Sequence, residues 1–247
     1  MRLLIDADII AFQAASSVEE VIHWGDDLWT LHSNLQPAIK LLEDKFLALV
    51  DAVGWPSASP VLCFSDSLSW RKREYPQYKA NRKKRKPIVY GALLEHCLEN
   101  YPSLQMPHLE ADDVMGIEAT RNPETTVIVS IDKDMRTIPC TLYDWNKPEL
   151  GVQEIDEVQA DRWLATQALT GDTTDGYPGC PGIGPVRAKK VLDGLTDPYE
   201  LWDAVLRAYE KAGLSTDSMV QQARLARICR DGDWDAESNT MTWEPSL

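Results

Sequence analysis

Carboxylate side chains crowd the stretch Leu109–Asp113, and they are the residues of this sequence best suited to chemistry. Glu110 and Asp113 are three residues apart, so a helix that begins here carries both on one side. Asp112 stands where an N-cap is expected, and acidic groups suit the N-terminal end of a helix dipole. Taken alone, the stretch predicts a capped helix with an acidic first turn.

Seven further aspartates either follow an apolar run or occupy a turn. Because carboxylates gathered at one place repel one another, a fold that gathers so many must hold cations between them. We therefore expect these side chains to converge on a cation site. They are Asp6, Asp8, Asp66, Asp132, Asp134, Asp172 and Asp175.

Short apolar runs precede several of these aspartates and predict buried strands. The strands alternate with helical patterns, among them the amphipathic stretch Leu35–Val53, and this alternation predicts an α/β fold with a parallel sheet. Ligands of open α/β sheets gather at the C-terminal ends of the strands, which is where the aspartates follow. The predicted strands are Leu3–Ile5, Val61–Phe64, Thr126–Ser130 and Thr141–Trp145.

Residues next to the predicted strands allow further local predictions. Asp8 either joins the site or caps a helix over Ile9–Ser16, and the sequence leaves both interpretations open. Asp132 and Asp134 are two residues apart in an extended segment, so they face the same side. The weakly periodic stretch Glu20–Asn34 is expected to be a polar connection.

A compact basic segment interrupts an otherwise acidic chain. The formal net charge is −14, yet nine of the 25 basic residues and one of the 39 acidic residues lie between Arg71 and Lys86. A single positive segment on an acidic body is typical of a phosphate-binding surface. Tyr75 and Tyr78 lie within it and favour a contact surface over a solvated face or a localisation tail. The lack of apolar periodicity over Trp70–Lys86 predicts a projecting segment that its ligand orders.

A loop rich in Gly and Pro starts at Gly171 and leads into a helix predicted to begin at Pro185. Glycines in the turn Gly182–Gly184 would let backbone amides approach a phosphate at the helix N-terminus. An ordinary hairpin between two helices is the alternative. Asp172 and Asp175 lie just upstream and favour the functional interpretation. Basic side chains follow at Arg187, Lys189 and Lys190.

Length and composition limit the class of protein. A chain of 247 residues can bury a full core, as one large domain or as a domain with an appendage. No apolar run approaches membrane-spanning length and the N-terminus has no signal-peptide pattern, so we expect a cytoplasmic protein without membrane contact. The five cysteines form no Cys-x-x-Cys pair, which indicates reduced thiols with neither a disulfide framework nor a zinc site.

Taken in order, these motifs resemble those of the flap-endonuclease (5′-nuclease) superfamily, and most of all the 5′→3′ exonucleases of podovirus-type bacteriophages. The resemblance implies a PIN-like α/β fold with a central, mostly parallel sheet flanked by helices. It divides the chain into a nuclease core, residues 1–156 with a basic arch at about 70–90, and a helical subdomain, residues 157–247, with a helix–three-turn–helix element. The motifs are Asp6, Phe64-Ser65-Asp66, Tyr78-Lys79-Ala80-Asn81-Arg82, Glu110-Ala111-Asp112-Asp113, Asp132-Lys133-Asp134, Gly171-Asp172 with Asp175, and Gly182-Ile183-Gly184.

The resemblance implies a 5′→3′ exonuclease that hydrolyses phosphodiester bonds with two Mg²⁺ or Mn²⁺ ions. Two cations roughly 4 Å apart can activate a water and stabilise the attacking and leaving oxygens. Ligands made only of oxygen favour Mg²⁺ or Mn²⁺ over zinc. By motif, the first ion would be held by Asp6, Asp66, Glu110 and Asp112, with Asp113 between or beside the ions. The second ion would be held or oriented by Asp132, Asp134, Asp172 and Asp175.

Contacts with nucleic acid are implied by the same resemblance. Lys79 and Arg82 would act in catalysis, at the scissile phosphate and the 5′ strand. The Gly182–Gly184 turn would bind phosphates of duplex DNA. Its backbone carbonyls are candidate ligands for a K⁺ ion. Gly176 departs from relatives, which often have Asn there. The other implied nucleic-acid-binding residues are Tyr78, Lys83, Lys84, Arg85, Gly182, Gly184, Arg187 and Lys189.

The expected substrates are duplex DNA that carries a 5′ end or a 5′ flap, and RNA primers paired with DNA. The expected process is the replication or degradation of phage DNA. Replication proteins are candidate partners, a separate polymerase is expected, and the expected state is a monomer.

Four alternatives stay open at this point. A structure-specific flap endonuclease and a PIN-type ribonuclease share the same chemistry, although a minimal ribonuclease would need neither the arch nor the Gly-rich hairpin. A non-catalytic DNA-binding module would leave at least eight carboxylates without a reason to converge. A Ca²⁺-binding structural protein fits least, because the Asp132 and Asp172 segments lack the ligand spacing and the glycine of a calcium loop.

Overall fold

A six-stranded sheet forms the centre of the molecule in this computed structural model, which describes residues 1–55, 57–82 and 84–247. Along the chain, the strands are β1 (Arg2–Asp6), β2 (Glu20–Gly25), β3 (Leu28–His32), β4 (Ser59–Phe64), β5 (Ser103–Gln105), β6 (Thr126–Val129), β7 (Cys140–Tyr143), β8 (Val152–Ile155), β9 (Trp234–Asp235) and β10 (Thr240–Met241). The sheet has the order β5-β4-β1-β6-β7-β8, with β8 antiparallel to β7 and the other neighbours parallel. The predicted α/β fold class is confirmed.

Helices cover both faces of this sheet. They are α1 (Ala7–Ser17), α2 (Leu35–Val53), α3 (Trp70–Glu74), α4 (Tyr90–Asn100), α5 (Ala111–Arg121), α6 (Glu157–Thr170), α7 (Pro185–Val191), α8 (Pro198–Lys211) and α9 (Thr216–Ala226). One core joins α1, α2 and α4 to one face of the sheet, and a second joins α5 to the other face. A third core lies among α6–α9 and includes Tyr78 from the basic segment.

Parallel pairing brings the C-terminal ends of the central strands together. Asp6 ends β1, which lies between β4 and β6, and Phe64 ends β4. Strand β6 ends at Val129, three residues before Asp132. All four predicted strands are present, and α2 has the predicted bounds. The sheet therefore carries the predicted acidic residues to one edge, as expected for an open α/β fold.

The stretch predicted to be a polar connection, Glu20–Asn34, contains a β-hairpin instead. Strands β2 and β3 pair antiparallel, the Trp24 indole N–H donates to Thr30 Oγ1 at 2.7 Å, and the His23 and Trp29 rings stack at 4.0 Å. Both faces of the hairpin are largely exposed, so its sequence lacks the alternation that one buried face would impose.

The prediction that the basic segment projects from the body along its whole length is wrong. Trp70 and Arg71 belong to α3 and are buried, and Tyr78 is buried as well. Charge was a poor guide to exposure here because Arg71 is neutralised by buried carboxylates. Lys83, a predicted nucleic-acid contact, lies outside the described residues.

All five cysteines are buried and carry free thiols, as predicted. In the described part of the chain, every helix is too short or too polar to span a membrane.

Candidate active site

Asp6 and Asp132 meet at the ends of β1 and β6 through a shared serine. Ser130 Oγ donates to Asp6 Oδ2 at 2.8 Å and accepts the backbone N–H of Asp132 at 3.0 Å. Asp6 also caps α1, accepting from the Ile9 N–H at 3.5 Å. Asp8 was the predicted candidate for this cap, so that interpretation is wrong. Ser130 was missed by sequence reasoning, although its place at the end of a predicted strand was a usable signal.

Asp8 instead lies next to Asp6 and ties three segments together. Its carboxylate accepts from the backbone N–H of Ser65 at 3.1 Å and from the Tyr90 hydroxyl at 2.9 Å. Its charge contributes to the raised pKa of Asp6. Of the two interpretations left open for Asp8, proximity to the acidic site is therefore the one that the structure favours.

Asp6 and Asp112 are in an environment that disfavours negative charge. Burial, followed by repulsion from Asp8 and Asp132, raises the pKa of Asp6 to about 7. Burial, followed by repulsion from Asp132 and Asp6, raises the pKa of Asp112 well above its usual range. Among residues 1–55, 57–82 and 84–247, none donates a hydrogen bond to the Asp112 carboxylate. Asp6, Asp112 and Asp132 are thus close enough to repel one another, and Lys79 offsets only part of that repulsion at Asp112.

Glu110 lies at the start of α5 and is fully paired. It is the N-cap residue of α5, a position that the sequence had suggested for Asp112. Its carboxylate accepts from Lys79 Nζ at 2.8 Å, from the Tyr78 hydroxyl at 2.9 Å and from Arg71 Nη1 at 3.1 Å. Burial raises the pKa of Glu110, but Lys79 and Arg71 outweigh it and the pKa lies below its usual value.

Asp113 forms an ion pair with Arg71, whereas the resemblance implied a position between or beside the metal ions. Its carboxylate is fully buried and forms a two-pronged ion pair with Arg71, at 2.7 Å on each oxygen. It also accepts from the Trp70 indole at 3.3 Å and from the Cys229 N–H at 3.0 Å. Because both oxygens are taken up by donors, Asp113 fits a structural role better than that of a metal ligand.

A second acidic group surrounds the 3₁₀ helix Lys133–Thr137. Burial, followed by repulsion from Asp132, raises the pKa of Asp134 to about 6. The side-chain amide of Gln167 donates to Asp134 Oδ1, and Lys133 Nζ lies 3.5 Å from the same oxygen. Lys133 also donates to Asp172 Oδ2 at 2.7 Å. Asp132, Asp134 and Asp172 thus lie in one region, and their role as ligands of a second ion stays a prediction.

Lys79 connects the basic segment to both acidic groups. Its ammonium contacts Glu110 at 2.8 Å and Asp175 at 3.8 Å, and its backbone N–H donates to the Asp175 carbonyl at 2.7 Å. Burial lowers the pKa of Lys79, but Glu110, Asp175 and Asp112 outweigh it, so the pKa is raised and the ammonium stays charged. Arg82 Nη2 donates to Asp175 Oδ1 at 2.6 Å.

The backbone at Lys79 is held in a conformation that most side chains avoid. Its φ is 55°, in the left-handed region. Such strain persists where the surroundings enforce it, and it is common at functional sites. The enforcing contact is close packing against the loop at Gly176, whose φ is 79° and where an added Cβ would lie 2.7 Å from the Gln77 carbonyl oxygen. This packing requires a glycine at position 176.

Asp66, a predicted ligand of the first ion, serves its own loop in the structure. Its carboxylate accepts from the backbone N–H groups of Ser67 at 2.6 Å and His108 at 2.8 Å. Through these bonds it fixes the approach of the chain to α5.

Lysine and arginine side chains form ion pairs with carboxylates of both acidic groups. In the part of the chain that is described, no three acidic, His or Cys side chains are close enough together to hold a metal ion. Lys79, Arg82 and Lys133 instead neutralise four of the carboxylates. The donor set nevertheless fits a hard divalent cation, since it is made only of carboxylate oxygens and three of its members have pKa values raised by burial and then by repulsion between carboxylates.

Predicted nucleic-acid contacts lie on two exposed surfaces, except that Tyr78, also predicted to contact nucleic acid, is buried. Lys84 and Arg85 lie on the basic segment, where Arg85 pairs with Glu19 at 2.7 Å. Arg187 and Lys189 are exposed on α7, beside the turn that contains Gly182. Arg187 Nη1 donates to the Gly182 carbonyl at 2.6 Å, and Gly184 is the N-cap residue of α7.

Comparison with known proteins gives a consistent set of relatives. A family model described as 5′-3′ exonuclease, N-terminal resolvase-like domain, matches residues 2–160. An exodeoxyribonuclease of Enterobacteria phage T3 is 32% identical over 98% of this chain and 92% of its own length. An exonuclease of Escherichia phage T7 is 31% identical over 98% of this chain and 93% of its own length.

Solved structures of low sequence identity share the fold. A phage T5 5′-exonuclease with zinc ions bound superposes with a TM-score of 0.64 at 14% identity, over 91% of this chain and 88% of that chain. A bacteriophage T5 flap endonuclease in complex with DNA and metal ions gives a TM-score of 0.62 at 12% identity, with the same coverage.

Proposed function

This chain belongs to the 5′-3′ exonuclease family and is a nuclease, and from that premise we propose that it removes nucleotides from the 5′ ends of duplex DNA with two divalent cations, Mg²⁺ or Mn²⁺. RNA primers paired with DNA are proposed substrates as well. The observation that carries the proposal is the convergence of Asp6 and Asp132 on Ser130, within electrostatic reach of Asp112 and of the Lys79–Glu110 ion pair.

The two acidic groups are the proposed cation sites. Asp6, Asp112 and Asp132 form the first, with Glu110 at its border, and Asp134, Asp172 and Asp175 form the second. When bound, such cations supply charge stabilisation and an activated water for phosphodiester hydrolysis. We leave Asp113 out of both sites because the buried Arg71 holds its two oxygens, whereas Lys133 and Arg82, which pair with Asp172 and Asp175, are exposed. Asp66 as a ligand stays a prediction from the resemblance.

Lys79 and Arg82 have the chemistry to position the scissile phosphate. Both are cations held against carboxylates of the site, and the raised pKa of Lys79 keeps its charge at neutral pH. In the absence of substrate, Glu110 and Asp175 pair with them, and a phosphate dianion or diester could replace those partners. The Tyr78 hydroxyl donates to Glu110 at 2.9 Å and contacts Asp175 at 3.1 Å, so it holds the two acidic groups in register.

The duplex beyond the cut is proposed to lie on the α7 surface. Arg187 and Lys189 there are exposed and can neutralise backbone phosphates, which dominate affinity for duplex DNA. The K⁺ ion stays a prediction from the resemblance, because the Arg187 guanidinium already occupies the Gly182 carbonyl that such an ion would use.

A test of this proposal compares two Asp→Asn variants of the full chain. Asp132→Asn removes a charge shared by both acidic groups, whereas Asp44→Asn removes one from the exposed face of α2, where Asp44 pairs with Lys40 at 3.4 Å. On a labelled duplex with Mg²⁺, we expect Asp132→Asn to cleave at least about 100-fold more slowly, with DNA affinity preserved, and Asp44→Asn to cleave at the normal rate. Cleavage by Asp132→Asn at the wild-type rate would remove the carboxylates from the mechanism.

Flap cleavage is the second candidate, and one observation favours it. The basic segment is fixed at two points, at Lys79 by the Asp175 carbonyl and at Arg85 by Glu19, which lies two residues beyond the end of α1. A segment anchored in this way can enclose a single strand beside the site. A substrate with a 5′ flap separates the two activities, since a flap endonuclease releases the flap in one piece.

A further inference from the structure

Ser130 lies directly after β6, between two of the proposed cation ligands, and carries no charge of its own. Its side chain is buried, and its backbone N–H donates to the Tyr143 carbonyl at the end of β7, at 3.2 Å. The main chain therefore fixes the place from which the hydroxyl can reach its neighbours.

The two hydrogen bonds of this hydroxyl run in opposite directions. A backbone N–H can only donate, so Ser130 Oγ accepts from the Asp132 N–H at 3.0 Å. The hydroxyl proton then donates to Asp6 Oδ2 at 2.8 Å when Asp6 is a carboxylate. Because it is bonded on both sides, the hydroxyl sets the position of the Asp6 carboxylate relative to the backbone of Asp132.

The bond to Ser130 also distinguishes the two oxygens of Asp6. Oδ2 accepts the serine hydroxyl at 2.8 Å, whereas Oδ1 meets the Ile9 N–H at the long distance of 3.5 Å. A hydrogen bond of that length is weak. Oδ1 is therefore the oxygen of Asp6 with more free capacity for a cation.

Through Asp132, the same hydroxyl reaches the second acidic group. Asp132 is the N-cap residue of the 3₁₀ helix Lys133–Thr137, and its Oδ1 accepts from the Asp134 N–H at 2.8 Å. A continuous series of hydrogen bonds thus runs from Asp6 through Ser130 and Asp132 to Asp134. The orientation of carboxylates in both proposed cation sites depends on this series.

We propose that Ser130 is a positioning residue of the nuclease site, whose hydroxyl orients Asp6 and sets its spacing from Asp132 for cation binding. The inference rests on the proposed cation sites and adds to them a residue that does not itself bind the metal. Side chains that orient metal ligands in this way commonly account for about 10- to 100-fold in metal affinity or activity.

Calorimetry with Mn²⁺ on the full chain without DNA tests this role, and Thr126→Ala is the matched control. Thr126 carries a second buried hydroxyl at the opposite end of β6, where its Oγ1 donates to the Asn122 carbonyl at 2.8 Å. We expect Ser130→Ala to weaken Mn²⁺ binding by about tenfold or more. Thr126→Ala should bind Mn²⁺ as the wild type does, although it loses a buried hydrogen bond as well.

Ser130→Cys is a second variant that fills nearly the same space. A thiol is a weak hydrogen-bond donor and acceptor, and Mn²⁺ prefers oxygen ligands, so this variant should also weaken Mn²⁺ binding. Melting temperatures in EDTA show which variants are folded.

Cleavage of a labelled duplex gives a readout that loss of stability alone would not move. Ser130→Ala should lower kcat by about 10- to 100-fold and leave KM for DNA within about twofold, because the hydroxyl acts on carboxylates and not on the DNA-binding surfaces.

Two results would overturn the role of Ser130 while the cation sites stand. One is wild-type Mn²⁺ affinity and kcat in Ser130→Ala, or in Ser130→Cys should Ser130→Ala not fold. The other is an equal loss of Mn²⁺ affinity in Ser130→Ala and Thr126→Ala, which would indicate a general effect of lost buried hydrogen bonds. Wild-type protein that binds no Mn²⁺ would instead refute the cation sites themselves, and the role of Ser130 with them.

Discussion

Asp112 and Asp113 are neighbours in the chain and have opposite environments. Asp113 receives donors on both carboxylate oxygens, and Arg71 holds its pKa below the usual value against the effect of burial. Asp112 receives none from the described residues, and its pKa is raised. The first is a structural ion pair and the second is an unsatisfied acid. Residue type and spacing alone do not distinguish them.

Asp113→Asn should therefore destabilise the fold more than Asp112→Asn does. Loss of one partner from a buried ion pair typically costs about 3–5 kcal/mol, and Arg71 would lose its two-pronged pair with Asp113 and keep Glu110, at 3.1 Å, as a counter-charge. Asp112→Asn removes a charge from a site where charge is disfavoured, so the metal-free protein should be at least as stable as wild type while its cleavage is lost. Urea denaturation in EDTA measures both. Equal stability of the two variants would contradict this division of roles.

Lys79 and Lys84 provide a matched pair within the basic segment. Lys79 is buried against Glu110 and Asp175, and Lys84 is exposed. We expect Lys79→Ala to slow cleavage by roughly 10²-fold or more, the usual loss when a positioned charge-stabilising group is removed. Lys84→Ala should weaken binding and reduce the slope of log affinity against log salt by about 1, with the rate at saturation unchanged. Equal effects on the rate would mean that the segment acts only as a diffuse field.

Helix α5 depends on the segment that follows α9. The Cys229 N–H donates to Asp113, and the Leu225 and Arg227 carbonyls accept from Arg71 at 3.2 and 2.5 Å. Gly116 makes this approach possible, because an added Cβ would collide with the Cys229 carbonyl and lie 2.9 Å from Ile228 Cγ2. The position of the catalytic helix is thus set by residues more than 100 positions later in the chain.

Gly116→Ala tests that packing, with Gly91→Ala as its control. Overpacking of a rigid contact costs about 1–3 kcal/mol, so we expect Gly116→Ala to lower the free energy of unfolding by that amount. Gly91 is also helical but has no atom within 4 Å of an added Cβ. There the substitution should be neutral or stabilising by up to about 1 kcal/mol. Denaturation of the two variants side by side would refute the packing account if both behaved alike.

Much of the element pattern could be predicted from the sequence, because buried strands and the amphipathic α2 leave clear periodicities. The short edge strands β5 and β8 and the exposed hairpin β2–β3 do not, since their apolar residues do not alternate toward one core. Family membership and fold class followed from the order of the acidic motifs and are confirmed by the comparisons. The division at residue 156 and the roles of the site residues stay predictions.

Within the site, sequence reasoning found the acidic residues but not their partners. Arg71 was counted among phosphate-binding cations, yet it is buried in ion pairs with Glu110 and Asp113. Ser130 and Gln167, which bond to Asp6 and Asp134, carry no charge and stand in no recognisable spacing. Such contacts depend on how distant segments pack, and one sequence does not record that packing.

At the scale of the whole molecule, the acidic groups reduce stability when cations are absent. The pKa values of Asp6 and Asp134 are raised to about 7 and about 6, whereas an unfolded aspartate titrates near 4. A carboxyl group of this kind binds a proton more tightly in the folded state, so stability rises as pH falls through the folded pKa. The lowered pKa values of Glu110, Asp113 and Asp172 act in the opposite direction only below about pH 4.5.

In EDTA, we therefore expect the free energy of unfolding to increase between pH 7.5 and pH 5.5, by about 2 kcal/mol for Asp6 alone. Saturating Mg²⁺ should remove or reverse this trend, because the cation and the protons compete for the same oxygens. Urea denaturation at three pH values with and without Mg²⁺ measures it. Stability that falls on acidification in EDTA would mean that the carboxylates are not under mutual repulsion.

Polarity and metal dependence of cleavage test the central claim most directly. A blunt duplex labelled at the 5′ end of one strand, and a second labelled at the 3′ end, are incubated with the protein in Mg²⁺ or in EDTA. The account predicts that in Mg²⁺ the 5′ label is released early in small products while the 3′-labelled strand shortens progressively, and that EDTA leaves both intact. Early loss of the 3′ label, or equal cleavage in EDTA, would contradict a metal-dependent 5′ nuclease.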